Sequence, residues 1–211
     1  MITQAFRYAY EPFVFGKSRD KDNKETYARA MKFFIIFTLL AFLVVMGYMD
    51  ILRHIIGRDY WVGLKVVPIV MAGGIMTGVY FNLSFWYKLI DKTIWGAYFS
   101  GIGCAVIIGI NVIFVPRYGY IACAWAGFLG NATAMILSYI VGQRKYPIAY
   151  PLKSIFVYVL IGGLFFAGIT ISNERLSAPL ALTVNTIIIL LFVAHVLYHD
   201  LPLIKIRRHK S

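Results

Sequence analysis

Apolar and polar positions divide this chain into six long apolar stretches: Met31–Leu52, Trp61–Tyr87, Ile94–Val115, Tyr120–Val141, Ser154–Ile171 and Ala178–Tyr198. Bilayer hydrocarbon requires about 20 mainly apolar residues per helix. The pattern therefore predicts an all-α integral membrane protein with six complete transmembrane helices. Met1–Gly16 is too short for a span and reads as a partial N-terminal helix, the end of a truncated transmembrane helix, so further residues upstream are expected. The expected order along the chain is then 1–16, truncated helix; 17–32, cytoplasmic basic loop; and 33–142, four spans. After these come 143–153, cytoplasmic loop; 154–198, two additional spans; and 199–211, cytoplasmic basic tail.

The spans differ in character. Met31–Leu52 is nearly uniform in Phe, Ile, Leu and Val, with Tyr48 and Asp50 only at its far end, and is expected to face lipid. Trp61–Tyr87 contains Pro68 in its outer third and the pair Gly73-Gly74 near mid-depth. Proline removes a helix hydrogen bond and clashes with the preceding turn, so Pro68, Gly73 and Gly74 are candidate hinge positions. Gly74 and Gly78 form a GxxxG pair that predicts close helix contact. In the fourth span Ala122, Ala126, Gly130, Ala134, Ser138 and Gly142 place a small residue at every fourth position. Membrane helices associate through close backbone approach rather than through exclusion from water, so this helix is expected to be buried. Because the row drifts around a straight helix, it should cross one neighbour or serve two in turn. Asn111 and Asn131, on spans three and four, suit interhelical hydrogen bonding.

Charge adds orientation. Of the 21 basic residues, Lys17, Arg19, Lys21, Lys24, Arg29 and Lys32 lie before or at the start of the first span. Lys88 and Lys92 follow the second, Arg144, Lys145 and Lys153 the fourth, and Lys205, Arg207, Arg208 and Lys210 the sixth. Short cytoplasmic loops retain Lys and Arg, which puts both the 17–32 segment and the C-terminus inside. The net charge of +12 follows from topology. No segment is long and polar enough to be a basic soluble domain, so nucleic acid is excluded as a partner, while anionic inner-leaflet lipid is an expected one. Arg7 and Lys65 are not explained by this asymmetry.

Candidate chemistry is sparse. Cys104 and Cys123 fall inside spans without metal-ligand spacing and read as small packing residues. His195 and His199 share a helix face, but a metal site needs three or four converging ligands, and an interfacial anchor is the reading preferred. No metal site, cofactor or catalytic residue is expected. A membrane-embedded glycan or lipid enzyme would need polar groups gathered at one face or in a sizeable loop, which the short outer loops do not offer. A non-transporting membrane assembly protein from a truncated gene is a further alternative.

Several strings carry a resemblance: Ala5-Phe-Arg-Tyr-Ala-Tyr-Glu-Pro-Phe13, Tyr80-Phe-Asn-Leu-Ser-Phe-Trp-Tyr-Lys88 and Val115-Pro-Arg-Tyr-Gly-Tyr-Ile-Ala-Cys-Ala-Trp-Ala126. In order and spacing they resemble the polysaccharide-transport branch of the multidrug/oligosaccharidyl-lipid/polysaccharide (MOP) flippases, which includes the Wzx-type O-antigen flippases. The resemblance implies the C-terminal part of a 14-helix fold, from the end of its eighth helix onward, in a bacterial inner membrane. It implies transbilayer movement of a polyprenyl-diphosphate-linked oligosaccharide by alternating access. The absent N-terminal lobe and envelope polysaccharide assembly proteins are its implied partners. A diphosphate headgroup calls for intramembrane cations, which are costly unless a partner uses them. Arg7 and Lys65 are thus the leading expected substrate contacts, with Glu11, Asn82 and Asn111 as secondary ones.

Overall fold

A computed structural model describes the backbone of residues 23–208 and the side chains of residues 24–200. The described residues are helical, without strands. The long helices are α1 (Asn23–Gly47), α3 (Val67–Leu83), α5 (Ile94–Tyr118), α6 (Tyr120–Lys145), α7 (Leu152–Arg175) and α8 (Ala178–Arg208). Two short helices, α2 (Met49–Leu52) and α4 (Phe85–Leu89), follow α1 and α3, and a 3-10 segment, Arg58–Val66, leads into α3. Six helical stretches are long and apolar enough to cross a bilayer, the arrangement of a multi-pass membrane protein.

Local chemistry explains where the helices begin and end. Pro68 lies in the first turn of α3, where a missing N–H costs nothing, and the chain changes there from 3-10 to α winding. Through Gly73 and Gly74 the helix runs on unbroken. Between α5 and α6 stands only Gly119, at φ 57°, a conformation that favours glycine. This single-residue turn folds the two helices back as an antiparallel pair.

Several expected boundaries are corrected. Residues 23–32 are not loop: α1 starts at Asn23, with an Arg29–Glu25 ion pair at 2.9 Å one turn apart and Tyr27, Ala28 and Met31 buried. The loop expected over 143–153 shortens to 146–151, and α8 continues through Asp200 to Arg208. The four spans assigned to 33–142 do not group together, because Ile36–Trp61 clusters with Leu152–Ser211 and the other spans form a separate unit.

In the first unit, which combines residues up to Ile35 with Val62–Pro151, α6 is the buried helix. All six members of its small-residue row are buried. A Cβ built on Gly130 would stand 2.8 Å from the Gly103 carbonyl oxygen, and one on Gly103 would stand 2.9 Å from the Gly130 carbonyl oxygen. About two turns later the row meets α4, where Trp86 donates to Ser138 Oγ at 3.3 Å and fills the space above Gly142. The row does serve two neighbours in turn. On another face, Gly73 would bring a Cβ to 3.3 Å of Phe128 Cα, whereas Gly74 faces open space. The close contact on α3 is therefore made by Gly73, not by the expected Gly74.

The second unit pairs the later part of α1 with α7 and α8. Leu39 covers Gly162, Ile189 reaches Gly47, and Phe42 meets Phe166 edge-on at 5.1 Å. Leu43 in this part of α1 is essentially inaccessible, as is Phe34 in the part belonging to the first unit, and of the six spans this one is the most buried. The expectation that Met31–Leu52 faces lipid thus fails for the face bearing Phe34, Leu39 and Leu43, while Phe33, Phe37 and Val44 stay exposed. A helix apolar on every side suits either environment, since lipid tails are as apolar as Leu, and its sequence cannot separate the two.

Candidate functional site

The residues expected to bind substrate are not gathered at one place. Arg7 and Glu11 lie outside the described residues. Lys65 is exposed in the 3-10 segment before α3. Asn82, near the other end of α3, is buried and donates to its own helix at Gly78 O, 3.0 Å. At 1.5 Å per residue the two are separated by about 25 Å along the helix, too far to hold one headgroup. Asn111 sits late in α5, with its Oδ1 buried and unpartnered among the described residues. Cys104 and Cys123 are both exposed on their helices, so they are not the packing residues expected.

What unit 1 does assemble is an aromatic end bearing lysines. Phe85, Trp86 and Tyr87 follow one another on α4 and are buried. Trp95 and Phe99 on α5 project from one face, four residues apart, and complete a ring cluster around Trp86, with centroids 6.4 Å and 6.3 Å away. Polar tips are anchored inside it. Tyr80 donates to Gly96 O at 3.2 Å, lies 3.1 Å from Ser100 Oγ and accepts from Tyr87 at 3.5 Å. Tyr27 of α1 stacks on Phe85 at 6.5 Å, and Tyr146 packs against both ring groups.

Three lysines stand over these rings: Lys24 at 4.4 Å from the Tyr146 centroid, Lys145 at 5.2 Å from Trp95 and Lys88 at 5.5 Å from Phe85. An ammonium on an aromatic face presents its positive charge beside the ring while its stem covers apolar surface. Chemically, this end can attract and hold phosphate oxygens. Its sequence signal was the run Phe85-Trp86-Tyr87 followed by Trp95 beside basic residues, the mark of an interfacial aromatic belt.

Unit 2 holds a different polar group. Asp200, just past the C-terminal end of the last apolar stretch, is buried and accepts from the Tyr158 hydroxyl at 2.7 Å, while the His195 and His199 rings of the same helix lie 4.6 Å apart. Nothing in the spacing of His195 and His199 pointed to Tyr158, which lies 42 residues from Asp200. No protein-family model, curated protein or solved structure matches this chain.

Proposed function

We propose that this protein moves a polyprenyl-diphosphate-linked sugar or oligosaccharide across a bacterial inner membrane for cell-surface polysaccharide synthesis, by alternating access and with its C-terminus cytoplasmic. The observation that carries this reading is the lysine-bearing aromatic end of unit 1. Lys24, Lys88 and Lys145 lie at one end of their helices, where a lipid diphosphate could meet three cations without any of them entering hydrocarbon. With basic segments inside, that end faces the cytoplasm, the side on which a loaded carrier starts. The resemblance of the strings around Tyr80–Lys88 and Val115–Ala126 to MOP flippases supports the same reading. Arg7 and Lys65 remain proposed substrate contacts.

The test is transbilayer movement in proteoliposomes carrying the protein and a labelled lipid-linked oligosaccharide, read by external glycosidase. Wild-type protein should make the internal pool accessible. Replacing Lys24, Lys88 and Lys145 together by Ala should slow this at least about tenfold, because each lost charge-assisted phosphate contact is worth about 1.5–3 kcal/mol. Arg7→Ala and Lys65→Ala should impair export without loss of protein. Absence of transport by folded wild-type protein, or unchanged transport by the triple variant, would reject the reading.

A further inference from the structure

The buried polar groups of unit 2 collect where the last turns of α1 and α7 meet the second turn of α8. Helix α1 breaks at Tyr48, where the Ile51 N–H turns to Tyr48 O at 3.0 Å. Gly47 O is left to accept instead from Asn185 Nδ2, at 3.0 Å. The second hydrogen of that amide goes to Asn173 Oδ1 at 2.7 Å. Beside it, Thr186 gives its hydroxyl hydrogen to Leu182 O at 2.8 Å, so the Tyr48 hydroxyl is the donor in its 3.0 Å contact with Thr186 Oγ1.

With both amide hydrogens used, Asn185 Oδ1 has no partner among the described residues, although the residue is only 1% exposed. Ser172 Oγ, on a residue 5% exposed, is likewise unpartnered. Ile169, one turn before Ser172, reaches to 3.8 Å of the Cβ position of Gly47, and Asn185 Cβ lies 3.5 Å from that position. Residues three apart share a helix face, so Ser172 is turned toward the same junction.

Burying an acceptor without a donor is costly, and the hydrogens these bonds account for are already spent. Acceptors predominate in what remains: lone pairs on Asn185 Oδ1 and Ser172 Oγ, and spare ones on Asn173 Oδ1 and Gly47 O, against the hydroxyl hydrogen of Ser172, which is free to rotate away, and the Asn173 amide hydrogens. An occupant that satisfies these oxygens together brings positive charge or hydrogen-bond donors. Gly47 is the last residue of α1 and Asn173 is in the last turn of α7, and helix C-termini favour cations. These groups include no carboxylate, the ligand that divalent ions generally take from proteins.

We propose that this junction is a binding site for a monovalent alkali cation, with Asn185 Oδ1 and Ser172 Oγ as ligands and the Gly47 and Asn173 oxygens completing the shell. The inference does not depend on the transport reading.

Equilibrium binding of radioactive sodium to the full chain in lipid nanodiscs tests it, together with thermal unfolding in NaCl against N-methyl-D-glucamine chloride at equal ionic strength. Expected are saturable binding and a higher unfolding temperature in sodium. Ser172→Ala should weaken binding at least about tenfold, and Asn185→Asp, which adds a charge at the same place, should tighten it. Asn185→Ala should abolish it; if that variant does not fold, the wild-type, Ser172→Ala and Asn185→Asp measurements decide. No saturable sodium binding by folded wild-type protein, with equal unfolding temperatures in the two salts, would overturn the proposal and leave water as the partner of these oxygens.

Discussion

Gly103 and Gly130 approach so closely that each carbonyl oxygen occupies the place where the other residue's side chain would begin, 2.9 Å and 2.8 Å from the respective Cβ positions. The α5–α6 hairpin depends on both being glycine.

Gly130→Ala should therefore destabilise the protein by about 2 kcal/mol through overpacking, since the new methyl meets both the Ile107 side chain and the Gly103 carbonyl oxygen, and the backbone oxygen cannot swing aside. Gly74→Ala should do the opposite. Open space surrounds Gly74, and replacing a mid-helix glycine by alanine gains up to about 1 kcal/mol of helix propensity. Unfolding in mixed detergent micelles, followed by circular dichroism, measures both.

The burial of α1 predicts a contrast along one helix. Leu43→Ala, at a fully buried position, should cost about 2 kcal/mol from the cavity left behind, whereas Phe37→Ala, at a position 52% exposed, should cost little. Equal effects in the same unfolding assay would mean that the span faces lipid on both sides.

Tyr158→Phe removes the hydrogen bond to the buried Asp200 carboxylate and should cost about 2 kcal/mol, the range for bonds to charged groups. Phe retains the ring contact with Phe192, now at 6.5 Å between centroids, so a loss in thermal stability reports the hydroxyl.

Orientation is testable by single cysteines in a background with Cys104 and Cys123 replaced by Ala. Lys92→Cys should be labelled by a charged maleimide only after cells are permeabilised, and Asp59→Cys in intact cells. The reverse pattern would invert the topology inferred from Lys and Arg placement.

Much of the architecture was readable residue by residue. Apolar length located every span, and the small-residue row on α6 predicted both its burial and its service to two neighbours, because close backbone approach has a direct signature in side-chain size. The lysine-bearing aromatic end was half visible: Phe85-Trp86-Tyr87 and Trp95 marked an interface, but the chain does not say that Tyr146 and Lys145 return to the same rings. The junction at Asn185 was hidden for a similar reason. An asparagine in an apolar stretch announces a hydrogen bond, yet does not name its partners: Asn173 lies 12 residues away on the preceding helix and Gly47 138 residues away on α1.

The amino-acid sequence alone determined six membrane-length helices, the asymmetry of their flanking charges and the packing face of α6, since each depends on residue type and local spacing. Only the tertiary structure decided which face of α1 is buried, that Gly73 rather than Gly74 makes the close contact, and that Asn185, Gly47 and Asn173 meet. In an all-apolar helix protein and lipid are equally acceptable neighbours, so which face turns inward depends on which helices pack beside it.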